Sequence, residues 1–171
     1  MINSLVQNSL RFILLVLIQV LILNNIQLSG YLNPFLYVLI LLMLPFETAD
    51  WVVMLLAFML GLLLDMFSDT LGLHTSACVF LAYARKSVLR YMAPREGYES
   101  GKKPNFRDMG ISWFFIYAGI LVFAHHLVLF YLETFRLNDF FSTFFKVILS
   151  SAFTLLTIFI AQLLFVTPRE R

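Results

Sequence analysis

From Ile111 to Leu132 the chain contains no Asp, Glu, Lys or Arg, and from Phe140 to Val166 only Lys146. Each run is long enough to cross a hydrocarbon core of about 30 Å, which takes ~20 helical residues. A helix suits that setting because it closes its backbone hydrogen bonds within itself. The rest of the chain extends the pattern, with further apolar segments at 11–27, 31–46 and 51–66, and at 75–89. The expected architecture is all-α: one integral membrane domain over residues 1–171, polytopic, with six transmembrane helices at 11–27, 31–46, 51–66, 75–89, 111–132 and 140–166. The second, third and fourth segments are short and call for local thinning or a partly embedded flank. A re-entrant pair from Tyr31 to Met66 is the alternative. Composition agrees with a lipid environment: 61% of residues are hydrophobic and 13% charged, against roughly 45–50% and about 25% in soluble domains. A net charge of +2 does not suggest nucleic acid, and Cys78, alone in the chain, can form no intrachain disulfide.

Charge placement gives an orientation. Arg85, Lys86 and Arg90 close the fourth segment, and Arg95, Lys102, Lys103 and Arg107 follow it, so the connection at 90–110 is strongly basic. With Arg11, Arg169 and Arg171, ten of the twelve cations fall on one side of a six-pass chain, leaving Arg136 and Lys146 on the other. Positive charge stays in the cytoplasm. Both termini and the 90–110 loop are therefore expected to be cytoplasmic, and the turn between the third and fourth segments faces outward. Pro94, Gly97, Gly101 and Pro104 break "APREGYESGKKPNFRD" (93–108), which reads as a solvated loop. "NNIQLSGYLNP" after the first segment lacks a small-x-small cleavage pattern, so that segment is expected to remain as an anchor.

The outward turn carries the chain's most unusual residues. In "GLLLDMFSDTLGLH" (61–74), Asp65 and Asp69 are four apart, on one helix face. Their spacing does not match a calcium loop of the D-x-[DN]-x-[DN]-G type. Three readings remain. Asp65, Asp69 and His74 could join on a metal if the chain folds back. Asp65, one turn deeper, could pair with a polar group of a neighbouring helix or partner. Or the acids lie at a wet boundary where Gly72 ends the third helix as its C′ residue, with Thr75 or Ser76 capping the fourth. Ala57 and Gly61, also four apart, form a small-xxx-small notch against which a helix of this chain or of a partner can pack. Gly119 and Ala118 offer another such point.

His125 and His126 sit near the middle of the fifth segment. Neighbouring helical residues point about 100° apart, so the pair is poorly placed to share one metal. Interhelical hydrogen bonding is the expected role, with a proton relay as the alternative. Gln19 and Gln162 are isolated polar points with the same two readings. The sequence has no Gly-rich phosphate loop, nucleophile elbow or His/Cys cluster at ligand spacing. Nothing calls for catalysis, a cofactor or a metal.

An N-terminal anchor, a second segment ending "LMLPFE", and then "LAFMLGLLLDMFSDTLGLHTSA" before a helix with a basic end together resemble the rod shape-determining protein MreD family. The pattern that carries the resemblance is Gly61-x3-Asp65 followed by Gly72, set within the order and length of the whole chain. The resemblance implies a non-enzymatic scaffold or adaptor of the bacterial cytoplasmic membrane. It would act with MreC in the elongation machinery that governs cell shape and lateral peptidoglycan synthesis. RodA with its penicillin-binding partner, and the MreB filament, are the direct or indirect associates it implies, besides membrane lipid. It also implies a fold like that of the substrate-binding components of energy-coupling-factor transporters. A small-molecule binding or uptake subunit is thus the second function class. Ala57, Gly61, Asp65, Asp69 and Gly72 are the expected partner or helix-packing residues.

Overall fold

A computed structural model describes residues 14–23, 33–134 and 140–165. It is helical, with no strand among the described residues. In chain order the helices are α1 (residues 14–21), α2 (Val38–Leu42), α3 (Asp50–Ser68), α4 (Leu73–Tyr91), α5 (Phe106–Met109), α6 (Ile111–Thr134) and α7 (Phe140–Phe165). Helix α3 packs on α4, α4 on α6, and α6 on α7.

Three of these helices, α3, α6 and α7, are long and apolar enough to cross a membrane. Their 19, 24 and 26 residues rise about 28, 36 and 39 Å at 1.5 Å per residue. All three also show large apolar side chains on the outside, among them Met59, Phe67, Ile116, Phe141 and Leu164. In water such surfaces would aggregate; in hydrocarbon they need no cover. Helix α4 has the same length as α3 but contains His74, Arg85, Lys86 and Arg90.

The expected helix over 31–46 is not continuous. Of the described residues, 33–35 are irregular, a turn follows at Leu36 and Tyr37, and only Val38–Leu42 are α-helical. Proline explains both limits. Pro34 biases Asn33 away from helical angles, and Pro45 lacks the N–H that a continuing helix would use. The segment is nevertheless buried: Tyr37, Val38, Leu41 and Leu42 are fully enclosed.

The connection at 93–108 is likewise more structured than a solvated loop. The Tyr98 ring stacks on Phe46, with centroids 4.0 Å apart, and its hydroxyl donates to the Leu89 carbonyl at 2.8 Å. Asn105, itself buried, caps α5 by accepting from Arg107 N and Asp108 N. Phe106 N donates to Gln162 Oε1 of α7 at 3.3 Å. At this end of the bundle, Lys86 of α4 and Asp50 of α3 form an exposed ion pair at 2.5 Å. At the other end, Lys146 of α7 meets Glu133 of α6 at 3.0 Å.

Candidate functional site

The α3–α4 junction is built around one carboxylate. Helix α3 stops at Asp69, whose φ of 53° is left-handed and whose N–H bonds to the Asp65 carbonyl. Three residues on, Gly72 (φ 81°) stands as the N-cap of α4 and has no side chain to cap it with. Asp65 supplies the missing acceptors from the preceding helix. Its Oδ1 accepts from His74 N at 3.0 Å and from Thr70 Oγ1 at 2.5 Å. Its Oδ2 accepts from Thr75 N at 3.0 Å and from Thr75 Oγ1 at 2.6 Å. His74 Nδ1 lies 3.1 Å from Oδ1. An ionised carboxylate can only accept, so Nδ1 carries the proton there and a neutral ring keeps Nε2 as an acceptor. With five donors around two oxygens, Asp65 is saturated. Its negative charge also sits at the start of α4, where the backbone dipole favours it.

Gly61, one turn before Asp65, lets the two helices meet. A Cβ there would collide with Thr75 Cα and lie 2.7 Å from Thr75 N and 2.9 Å from His74 O. Those are backbone atoms and cannot rotate away. Ala57, one turn earlier, is fully buried. At Gly61 the notch is thus occupied by α4 of the same chain.

Two of the expected roles are corrected here. Gly72 does not end α3 as its C′ residue; Asp69 takes the left-handed position, and Gly72 begins α4. Nor do Thr75 and Ser76 serve as N-caps; both lie inside α4. Asp65 and His74 are brought together, whereas Asp69 is exposed on the turn and joins it through its backbone. Among the described residues no group of three or more His, Cys, Asp or Glu side chains is placed to hold a metal ion.

A second polar set surrounds the broken segment. Gln19 of α1 donates to the Pro34 carbonyl at 3.0 Å, and its Oε1 accepts from Tyr37 N at 3.4 Å. Thr154 of α7 accepts from Phe35 N at 3.0 Å, and Ser150 accepts from Asn33 N at 3.3 Å. At the far end of α2, Arg85 Nη2 donates to the Leu44 carbonyl at 2.6 Å, and its Nε donates to Tyr117 Oη at 3.0 Å. Tyr117 in turn donates to the Leu42 carbonyl at 3.1 Å. Buried backbone outside a regular helix needs partners for its polar groups. Here side chains from α1, α4, α6 and α7 supply them. Arg85, counted by sequence among the cations of the cytoplasmic side, is only 3% exposed.

All three histidines of the chain face Phe35: the ring centroids of His74, His125 and His126 lie 5.7, 6.1 and 5.2 Å from it. His125 Nε2 is 3.0 Å from Tyr37 Oη, and His126 Nε2 is 3.0 Å from Thr154 Oγ1. Both imidazoles are enclosed, and both bond across elements as expected of interhelical ties. His125 Nδ1 and Ser151 Oγ are buried without a partner among the described residues. Sequence reasoning did not single out Phe35, Tyr37, Tyr117 or Thr154. The available signal was the Asn33-Pro34 break, which obliges nearby polar groups to receive its backbone. At the basic end, outside the spanning helices, burial pushes the Tyr98 phenol above its ordinary value, against the pull of the Arg85 guanidinium.

Comparison with protein-family models, with characterised proteins and with solved structures gave no match.

Proposed function

We propose that the chain is a non-enzymatic adaptor of the MreD kind in the bacterial cytoplasmic membrane. It crosses six times with both termini inside, the second pass being the broken segment of residues 31–46, and it acts with MreC in the elongation machinery. The observation that carries this reading is the α3–α4 junction. Gly61, Asp65 and Gly72, the residues of the MreD-like pattern, serve one physical purpose there. Gly61 admits the α4 backbone, Asp65 ties its first turn, and Gly72 starts it with a positive φ. Residues committed to helix packing and capping suit a scaffold better than a catalyst, because their polar atoms are already engaged. Proximity to RodA with its penicillin-binding partner, and to MreB, follows from the same reading.

A second reading is favoured by the broken segment. Unwound backbone between helices, enclosed by polar side chains, is where many transporters place a substrate or ion. Under that reading the chain is a small-molecule binding or uptake subunit, with Tyr37 and His125 nearest the site.

Affinity capture of the full chain from native membranes at native expression, with identification of all bound chains and small molecules, separates the two. The adaptor reading expects MreC in stoichiometric amount and rod-to-sphere rounding on depletion. Recovery of ATPase subunits or a retained vitamin-like molecule, without MreC, overturns it.

A further inference from the structure

Between α4 and α6 the lipid-facing surface is indented by a groove of about 600 Å³, lined by Phe80, Gly119, Ile120, Phe123, Ala124 and Leu127. Gly119 opens directly onto it: a Cβ there would meet nothing within 4 Å. Unlike Gly61, Gly119 is therefore not required by packing within the chain. The lining is apolar, so the occupant is a hydrocarbon chain or an apolar side-chain surface.

Length and charge decide between those. On α6 the lining runs from Gly119 to Leu127, about 12 Å at 1.5 Å per residue. A crossing partner helix would need contact along a core of about 30 Å. The lining is centred on the middle of α6, so a lipid tail anchored at one face of the bilayer reaches it with its terminal half. On α4, Phe80, Tyr83, Ser87 and Arg90 are spaced by three and four residues, so they share a face, and all are exposed. From Phe80 to Arg90 the rise is about 15 Å, one leaflet from groove to cation. Lys86, beside this face, is already paired with Asp50, whereas Arg90 has no carboxylate within ion-pair distance among the described residues. A guanidinium at headgroup depth matches a phosphate through paired N–H donors.

We propose that the α4–α6 groove holds an acyl chain of one anionic glycerophospholipid, whose phosphate is met by Arg90. The site is independent of the adaptor reading and requires only that the helices cross a membrane. Filling the groove displaces the chain, and neutralising Arg90 removes the preference for an anionic headgroup.

The test uses the purified full-length protein and mixtures of phosphatidylglycerol and phosphatidylcholine with identical acyl chains, with retained lipid counted by native mass spectrometry. One phosphatidylglycerol should be retained at least tenfold over phosphatidylcholine. Gly119→Leu should abolish retention of both. Ala124→Leu is the second blocking variant should the first fail to fold, and unchanged thermal unfolding certifies whichever is used. Arg90→Gln should retain both lipids equally. Three results would each overturn the assignment: equal retention of the two lipids by the unaltered protein, undiminished retention in a folded blocking variant, or a dimer that the blocking variant dissociates. The last would give the groove to a second copy of the chain.

Discussion

Replacing Asp65 with alanine tests the α3–α4 junction most directly. The change strips the acceptors from His74 N and Thr75 N, in the first turn of α4. It also leaves the Thr70 and Thr75 hydroxyls and His74 Nδ1 to find other partners. A buried donor left unsatisfied costs about 1–3 kcal/mol, and loss of a helix cap about 0.5–2. The hydroxyls can rotate, so the two backbone N–H groups dominate. We expect a loss of about 3–5 kcal/mol, the sum for two such buried donors. Asp65→Asn keeps one acceptor oxygen but turns an NH2 group toward donors, so it should lose roughly half as much. Asp69→Ala offers the contrast. Its side chain is exposed and alanine holds the same left-handed φ with the same Cβ, so only the local tolerance of Asp for that region is lost, at a cost below about 1 kcal/mol. Asp69→Gly should be neutral or slightly stabilising. Reversible unfolding in mixed SDS and mild-detergent micelles, followed by far-UV circular dichroism, measures all four variants. The reasoning fails if Asp65→Ala costs no more than Asp69→Ala.

The remaining predictions address depth and orientation. In a Cys78→Ala background, Ser100→Cys and Leu71→Cys should label from opposite sides with a membrane-impermeant thiol reagent; labelling of Ser100→Cys from outside intact cells would reverse the assigned orientation. Arg85→Leu should destabilise by about 2–4 kcal/mol, because the Leu44 carbonyl loses its donor in a partly buried place. Arg85→Lys should recover only part of this, since an ammonium cannot span Tyr117 and Leu44 with a planar fork; full recovery would show that charge alone is required. Thr154→Val should cost about 1–3 kcal/mol by orphaning Phe35 N, and Thr154→Ser should restore most of it in the same unfolding assay.

Helices α3, α6 and α7 were legible because hydropathy is a sum over a window. Residues 111–132 became Ile111–Thr134 and 140–166 became Phe140–Phe165. The second segment was not legible by that route. Its residues are as apolar as those of a helix, and what breaks it is the backbone chemistry of Pro34 and Pro45 together with acceptors and donors from distant helices. That Asp65 pairs with a neighbouring helix was legible; that it caps α4 was hidden for a related reason. Capping rules examine the residue just before a helix and find Gly72 there, whereas the acceptor comes from nine positions before His74, across a turn. The burial of Arg85 was not legible because the positive-inside rule counts sign and ignores depth.

In hydrocarbon, apolar contact does not distinguish one helix arrangement from another, since lipid tails are as apolar as the side chains. Specificity has to come from groups that lipid cannot satisfy. In this chain those groups lie where helical bonding is interrupted. The start of α4 needs Asp65, the C-terminal end of α2 needs Arg85 and Tyr117, and the unwound stretch before α2 needs Gln19, Ser150 and Thr154. Each interruption has one set of partners that closes it, so together they select one packing among many of similar apolar area. The same requirement explains why these polar side chains are buried while many large apolar ones stand exposed. Helices held to one another by buried polar ties leave their outer faces free of structural duty. Met59 and Phe67 of α3, and Phe141, Phe145 and Leu164 of α7, stand on such faces. A neighbouring transmembrane helix could pack there by shape alone, without breaking any bond that holds the fold, which is the physical condition an embedded adaptor has to meet.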